Sequence, residues 1–252
     1  MTTEANRHLL KKAFRIMRRN YGCPGNDRLS IKYIRANYQK YENLVLESLI
    51  NGTYVFEKEP KRILINDYLK KEREIFIYNV TDRWVQQFLK LQIEPLVEVE
   101  LPEYVYAFRR GKCDIDSYHY ILINTPKYIL RTDIKNYFNS LDKEKILRKL
   151  RGMHVEDGIL GSVEKSMEHC KKGIPPGHVL SCIFSNVSLI DFDIKFSKNY
   201  TRYSDDMMFS CKTKLETYLT LLKVTMLLKK EKLYLNHAKT RIVTSPTLEK
   251  IS

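Results

Sequence analysis

Tyr200-Thr-Arg-Tyr-Ser-Asp-Asp-Met-Met-Phe-Ser210 reads as a tight hairpin, two short aromatic and apolar runs meeting at Ser204, Asp205 and Asp206. Adjacent carboxylates repel one another, and between buried strands they are unfavourable unless something positive sits on them. A hard divalent cation such as Mg²⁺ is the simplest such object, because it prefers carboxylate oxygens. An acidic turn that needs no metal is the alternative, since Asp is common in turns. What separates the two readings is the company this hairpin keeps.

Working outward, a second carboxylate precedes it by 72 residues. Lys127-Tyr-Ile-Leu-Arg-Thr-Asp-Ile-Lys-Asn-Tyr-Phe138 begins as a β-branched and aromatic strand and reaches Asp133 near its end. A helix from Asp142 to Arg151 follows, with Asp142 placed to cap it. Asp133 stands where a strand meets a loop and could share a metal with another strand's turn, so the three acids would meet only by folding. Between them Gly173-Ile-Pro-Pro-Gly177 is a rigid kinked turn opening a long helix. Leu180, Ile183, Phe184, Val187 and Ile194 form that helix's expected buried stripe, with His178, Ser181 and Ser185 off it. Beyond the hairpin, a helix from about Leu215 to Lys232 leads into Leu233–Val243.

Upstream, an amphipathic helix is expected over Asn6–Asn20 and ends at the glycine- and proline-containing Tyr21–Asp27. A second runs from Ser30 to Ile50. Two β-like runs, Arg62–Ile65 and Glu74–Tyr78, precede a helix over Thr81–Val97 that carries Trp84, Val85, Phe88 and Leu89. Phe108-Arg-Arg-Gly-Lys112 is either a basic loop that holds phosphate or a solvated charge cluster.

The whole composition bears on the partner. The 252 residues carry 44 Lys and Arg against 30 Asp and Glu, a formal charge of +14. That excess is spread along the chain, which suits a phosphate-rich partner. With 17 Tyr and 10 Phe available to stack on bases, nucleic acid is the expected one. Five scattered cysteines show no zinc-like spacing and fit reduced thiols in the cytoplasm. The sequence shows neither a signal-peptide apolar region nor a membrane-length apolar run, so no membrane partner is expected.

Together these segments resemble the reverse transcriptases of bacterial retroelements, most closely the group II intron-like branch. Asp133–Phe138 is similar to the family's first palm motif, Gly173–Gly177 with Leu180-Ser181 to the second, Tyr203-Ser-Asp-Asp206 to the metal-binding third and Leu235–Val243 to the fourth. Tyr21–Asp27, Leu49–Tyr54, Asp82–Gln87 and Tyr106–Gly111 resemble upstream landmarks in the family's order. The resemblance implies an α+β right-hand polymerase, with an N-terminal extension and fingers over 1–126 and a palm over 127–252 (fingers elements interleaved around 140–175). It also implies RNA-directed addition of deoxynucleoside triphosphates to a DNA or RNA primer on an RNA template, in a bacterial retroelement or defence system.

By the same resemblance, Asp133, Asp205 and Asp206, with the backbone of Ile134, would hold two Mg²⁺ ions, for which Mn²⁺ can substitute. Phe138 falls at the position that presses on a ribose 2′-hydroxyl, with plain core packing as the alternative. Arg73 falls where the fingers contact the incoming triphosphate, although Glu72 and Glu74 flank it where relatives carry a basic residue and proline. Lys239 matches the lysine near pyrophosphate, or is one more solvated charge. Arg83, Arg109, Arg110, Gly173, Pro175 and Gly177 match template and primer positions.

Two departures stand out. Pro176 replaces the glutamine usual in the second motif, removing a side-chain amide and a backbone N–H. The thumb of relatives has no visible counterpart before Ser252, which fits a fragment, a second chain supplying the part, or a minimal enzyme. A nucleic-acid-binding scaffold without polymerase activity is the rival reading, and a palm-fold nucleotide cyclase a more distant one.

Overall fold

The structure is a computed structural model that describes residues 3–19, 22–66, 72–174 and 176–244. In chain order the elements are α1 (Thr3–Met17), α2 (Ile31–Ala36), α3 (Tyr38–Ile50), β1 (Lys61–Asn66), β2 (Glu72–Ile77), α4 (Val80–Glu100), α5 (Asp114–Ile123) and β3 (Tyr128–Asp133). After a 3₁₀ turn at Phe138–Ser140 come α6 (Lys143–Gly152), α7 (Asp157–Ser166), α8 (Ser181–Asp193), β4 (Tyr200–Tyr203), β5 (Asp206–Cys211), α9 (Lys214–Lys230) and β6 (Arg241–Thr244). They form an α+β chain with two antiparallel sheets. It divides into two compact units, Met1–Val99 with Leu141–Val187, and Glu100–Ser140 with Ser188–Ser252.

The first unit is mainly helical and gathers on α4. Trp84 is wholly buried, packs on Phe14 of α1 at 4.7 Å and donates its indole N–H to the Leu10 carbonyl at 2.7 Å. An indole is buried cheaply only when that donor is satisfied. Asp82, near the start of α4, is buried with two donors on it, the Tyr54 hydroxyl at 2.8 Å and the Glu57 N–H at 3.1 Å. β1 and β2 pair antiparallel, and the Phe76 N–H donates beyond the ribbon to the Pro176 carbonyl at 3.0 Å. Gly177 follows at φ +105°, where a Cβ would stand 2.0 Å from the Phe76 carbonyl oxygen. α6 begins as expected, with the Asp142 carboxylate accepting from the Lys145 N–H at 3.1 Å.

The second unit is built on a four-stranded antiparallel sheet ordered β4-β5-β3-β6. Cys211 lies 3.9 Å from the Thr220 hydroxyl of α9, so α9 packs on the face carrying Met207, Phe209 and Cys211. Arg131 lies over the Tyr118 ring of α5 at 5.5 Å, which puts α5 on the opposite face. α9 also keeps a second apolar stripe, Leu215, Tyr218, Leu219, Leu222 and Met226, exposed.

Several expectations are corrected. The helix expected over Ser30–Ile50 is two helices, interrupted at Asn37, whose φ of −111° and ψ of 31° are not helical. Ile194 lies past the end of α8 and is 56% exposed, whereas His178, Ser181 and Ser185 are buried. α5 and α7 form in stretches to which the sequence reading assigned no helix. Among the described residues no helix is long and apolar enough to cross a membrane.

Candidate functional site

Strand alternation brings the acids together. Along β3, Leu130 and Thr132 are buried on one face, leaving Arg131 and Asp133 on the other. β5 runs antiparallel with Asp206 opposite Asp133 and Met208 opposite Arg131. Tyr203 of β4 pairs with Asp206, so Ser204 and Asp205 form a two-residue turn at the sheet's end. Ser204 takes φ 59°, the left-handed value this tight a hairpin turn needs and that glycine usually supplies. The Ile134 N–H donates to the Asp205 carbonyl at 3.2 Å, tying the end of β3 to the turn. The segment at Tyr234–Asn236 runs along the other side, where the Lys135 N–H donates to the Tyr234 carbonyl and the Asn236 N–H to the Asp133 carbonyl, both at 2.8 Å.

Each acid has a different electrostatic setting. Asp133 accepts from the Lys239 ammonium at 2.6 Å and the Asn236 side-chain amide at 3.2 Å. Asp206 is gripped by the Arg131 guanidinium, whose Nε lies 3.1 Å from both carboxylate oxygens while Nη2 closes on one of them. That fork holds the Arg131 pKa up. Asp205 has its carboxyl pKa pushed up, first by burial and then by the charge of Asp133. A buried acid whose proton affinity is raised by a neighbouring carboxylate marks a site wanting positive charge.

Beside them opens a cleft of about 320 Å³ lined by Arg131, Asp133, Asp206, Lys239 and Arg241. Three cations against two acids make its wall suitable for a phosphate-bearing ligand. Asp205 stands outside that lining. Among the described residues no group of three or more His, Cys, Asp or Glu is arranged to hold a metal ion. The donor chemistry of Asp133 and Asp205 nevertheless fits a hard cation, because both offer carboxylate oxygens and the second is destabilised as an anion. Asp206 fits only once it leaves Arg131.

The other residues singled out in the sequence are distributed as follows. Ile134 is buried beside Asp133, and its antiparallel bridge partner is Leu235. Phe138 is half-buried, with its ring 5.6 Å from that of Tyr137. Arg109 turns inward and donates to the carbonyls of Pro102 at 2.6 Å and Val105 at 2.8 Å, holding its own loop together; Arg110 is exposed. Arg83, Gly173 and Gly177 belong to the first unit. Arg83 donates to the Cys23 carbonyl at 3.0 Å, and burial pulls its pKa down. Gly173 has φ 60°. Pro175 and the Arg73 side chain lie outside the described residues, although the Arg73 backbone pairs with Ile65.

Arg131, Asn236 and Arg202 were not singled out in the sequence. Arg131 had a signal, because two residues before Asp133 on a strand is the same face. Arg202 had another: a charge inside an otherwise apolar strand must find a buried partner, and it finds Asp193 at 2.5 Å.

Comparison with known proteins agrees with this architecture. The family profile described as "Reverse transcriptase (RNA-dependent DNA polymerase)" matches residues 57–249. Protein YkfC of Escherichia coli (strain K12) is 20% identical over 210 residues, covering 76% of this chain and 55% of YkfC. Apo telomerase from Candida tropicalis superposes with a TM-score of 0.55 at 13% identity, covering 83% of this chain and 50% of telomerase. Telomerase from Candida albicans in complex with the TWJ fragment of telomeric RNA gives 0.53 at 14% identity, with 86% and 47% covered. The chain therefore spans about half the length of these relatives. The telomerase likeness establishes the fingers-and-palm fold. With well over half of the chain inside the matched interval, and Asp133, Asp205 and Asp206 all within it, the chain belongs to the reverse transcriptase (RNA-dependent DNA polymerase) family.

Proposed function

We propose that the chain is an RNA-directed DNA polymerase of group II intron-like descent, serving a bacterial retroelement or defence system. It adds deoxynucleotides to a primer 3′ end by copying RNA. The observation that carries this is Asp133 at the end of β3 beside Asp205 in the β4–β5 turn, with Lys239 reaching into the same place. Divalent cations held by Asp133 and Asp205, with the Ile134 carbonyl alongside and Asp206 once Arg131 releases it, would acidify the primer hydroxyl and neutralise the leaving pyrophosphate. Mg²⁺ is the expected ion and Mn²⁺ its substitute.

The chain's own groups do the remaining work. Lys239, Arg131 and Arg241 line the cleft and gather the triphosphate by charge. Phe138 excludes a ribose 2′-hydroxyl by shape. Arg73 meets the incoming triphosphate, while Arg83 and Arg110, with the Gly173–Gly177 turn, meet the nucleic acid, and the chain's +14 charge makes that binding weaken steeply with salt.

Primer extension with Mg²⁺ on an RNA template tests this reading, with Asp205→Asn as control. Extension by the wild type and none by the variant is expected; equal extension by both would sink the assignment. A second reading, a catalytically weak family member kept as a nucleic-acid-binding scaffold, is favoured by one specific observation. Asp133 and Asp206 already hold cationic side chains, Lys239 and Arg131. It predicts salt-sensitive RNA binding with no extension.

A further inference from the structure

Arg202 and Asp193 form an ion pair from which water is wholly excluded, both side chains having 0% exposure. Two parallel bonds join them, Nε to one carboxylate oxygen at 2.9 Å and Nη2 to the other at 2.5 Å. The Tyr200 hydroxyl adds a third donor to Asp193 at 2.8 Å, so both carboxylate oxygens are engaged. Burying two charges this completely is unfavourable unless geometry compensates, and hydrophobic residues of similar size often serve stability as well. The pair therefore calls for a role beyond stability.

The remaining guanidinium arm indicates that role. Nη1 of Arg202 donates to the Ser204 carbonyl at 3.0 Å. Ser204 opens the β4–β5 turn with φ 59°, a conformation a serine does not hold by preference. Fixing that carbonyl towards the interior turns the next amide, the Asp205 N–H, the other way, and so sets the backbone from which the Asp205 side chain springs. The chain of contact runs from Asp193 through Arg202 to the Ser204–Asp205 peptide, and the Asp205 carbonyl beyond it is held in turn by the Ile134 N–H. The backbone of β4 is bracketed as well, since the Arg202 N–H donates to the Tyr104 carbonyl at 3.0 Å and the Tyr106 N–H to the Arg202 carbonyl at 2.9 Å.

We infer that the buried Asp193–Arg202 pair is a positioning device that sets the Ser204–Asp205 peptide, and so holds Asp205 in the orientation in which it and Asp133 take a divalent cation. The inference rests on the reading of Asp133 and Asp205 as cation ligands. Neither Asp193 nor Arg202 touches the cation or the substrate.

The test uses the full chain, with Mn²⁺ as probe followed by electron paramagnetic resonance and hydrogen exchange read at the Ile134 amide, which reports on the Asp205 carbonyl it bonds. Asp193→Leu combined with Arg202→Met removes both charges and keeps apolar volume. It should keep its thermal midpoint within a few degrees, yet bind Mn²⁺ at least tenfold more weakly and exchange Ile134 at least tenfold faster. Arg202→Lys covers the case in which the double variant fails to fold. Lysine keeps the charge beside Asp193 but has no second arm for Ser204, so the same two losses are expected. Wild-type Mn²⁺ affinity and wild-type exchange in a folded variant would overturn the inference. Asp205→Asn separates the two levels: it should lose Mn²⁺ while keeping Ile134 protected. If the wild type itself binds no Mn²⁺, the ligand reading fails and the positioning of Asp205 for a cation falls with it.

Discussion

Lys239 brings its ammonium 2.6 Å from the Asp133 carboxylate while remaining 61% exposed itself. On the proposed assignment the lysine is the counter-charge that a divalent cation would displace, and its contact with Asp133 raises its pKa. An ion pair with one exposed partner is worth about 0–1 kcal/mol, a factor of up to about five in affinity. Lys239→Gln should therefore tighten Mn²⁺ binding several-fold while slowing single-turnover incorporation, because the group proposed to face pyrophosphate is lost. Titrating Mn²⁺ into both proteins reads the first effect, and an unchanged affinity would show that the lysine and the cation do not compete.

Asp205→Asn should abolish incorporation and leave the fold as stable or slightly more so. The Asp205 carboxyl has a raised pKa, so the folded state binds its proton more tightly than the unfolded chain does. Its ionisation at neutral pH therefore opposes folding, and an amide removes that opposition. The variant's advantage in thermal midpoint should shrink as pH falls into the carboxylate range, where the wild type also becomes neutral. A midpoint several degrees lower at pH 7 would contradict this.

Its neighbour should behave in the opposite sense. Asp206→Asn leaves the Arg131 guanidinium without its carboxylate on a partly buried sheet face. A forked pair about one third exposed contributes ~1 kcal/mol after solvent screening, so a drop of a few degrees in Tm is expected. Two adjacent acids with opposite effects on Tm would be a direct sign that only one of them is structurally paired. Equal shifts in the same direction would refute the pairing.

Phe138→Ala should relax sugar selection. The ring is half-buried against Tyr137, so truncation loses some packing and lowers the rate without eliminating it. The informative quantity is kcat/KM for deoxynucleotide over ribonucleotide in both proteins. The ratio should fall markedly; a folded variant with the wild-type ratio would return Phe138 to ordinary packing.

Asp82 supplies a pH signature away from the site. Burial pushes its carboxyl up to about 6, although Tyr54 and Glu57 both donate to it. Between the ordinary carboxylate range and pH 6 the folded state holds the extra proton, so this group's contribution to stability falls as pH rises through that window. The total is up to about 3 kcal/mol. His169 and His178, held neutral by burial with pKa values of about 4 and about 3, pull the opposite way over part of the same range. The difference between wild type and Asp82→Asn isolates the aspartate: the variant's stability relative to wild type should improve from pH 4 to pH 7 in chemical denaturation. A flat difference would place the Asp82 pKa near its ordinary value.

The sequence exposed some of this and hid the rest for identifiable reasons. The β4–β5 hairpin, the strand carrying Asp133 and the Asp142 cap were readable because alternation and capping are local. Arg131 on Asp206 was not, since it depends on a strand register set 75 residues along the chain, and Arg202 on Asp193 was not, since it depends on how the end of α8 packs against β4. α7 carries Gly158 and Gly161, which weaken any helical expectation, and is held instead by burial of Leu160 and Val163. The break at Asn37 interrupts an apolar pattern that continues on both sides, so periodicity alone joined the two helices. Ile194 fell outside α8 because the helix ended one residue before the next turn of its stripe.

The close approach of Gly177 to β2 divides two neighbouring codons into opposite classes. At 177 any side chain would collide with the Phe76 carbonyl and would also have to hold φ +105°, so saturation of that codon should return glycine alone among folded clones. At 176 the ribbon uses only a main-chain oxygen, which every amino acid supplies. The position that departs from the family pattern is thus one where this contact leaves the side chain free to drift, while the residue after it is locked by shape.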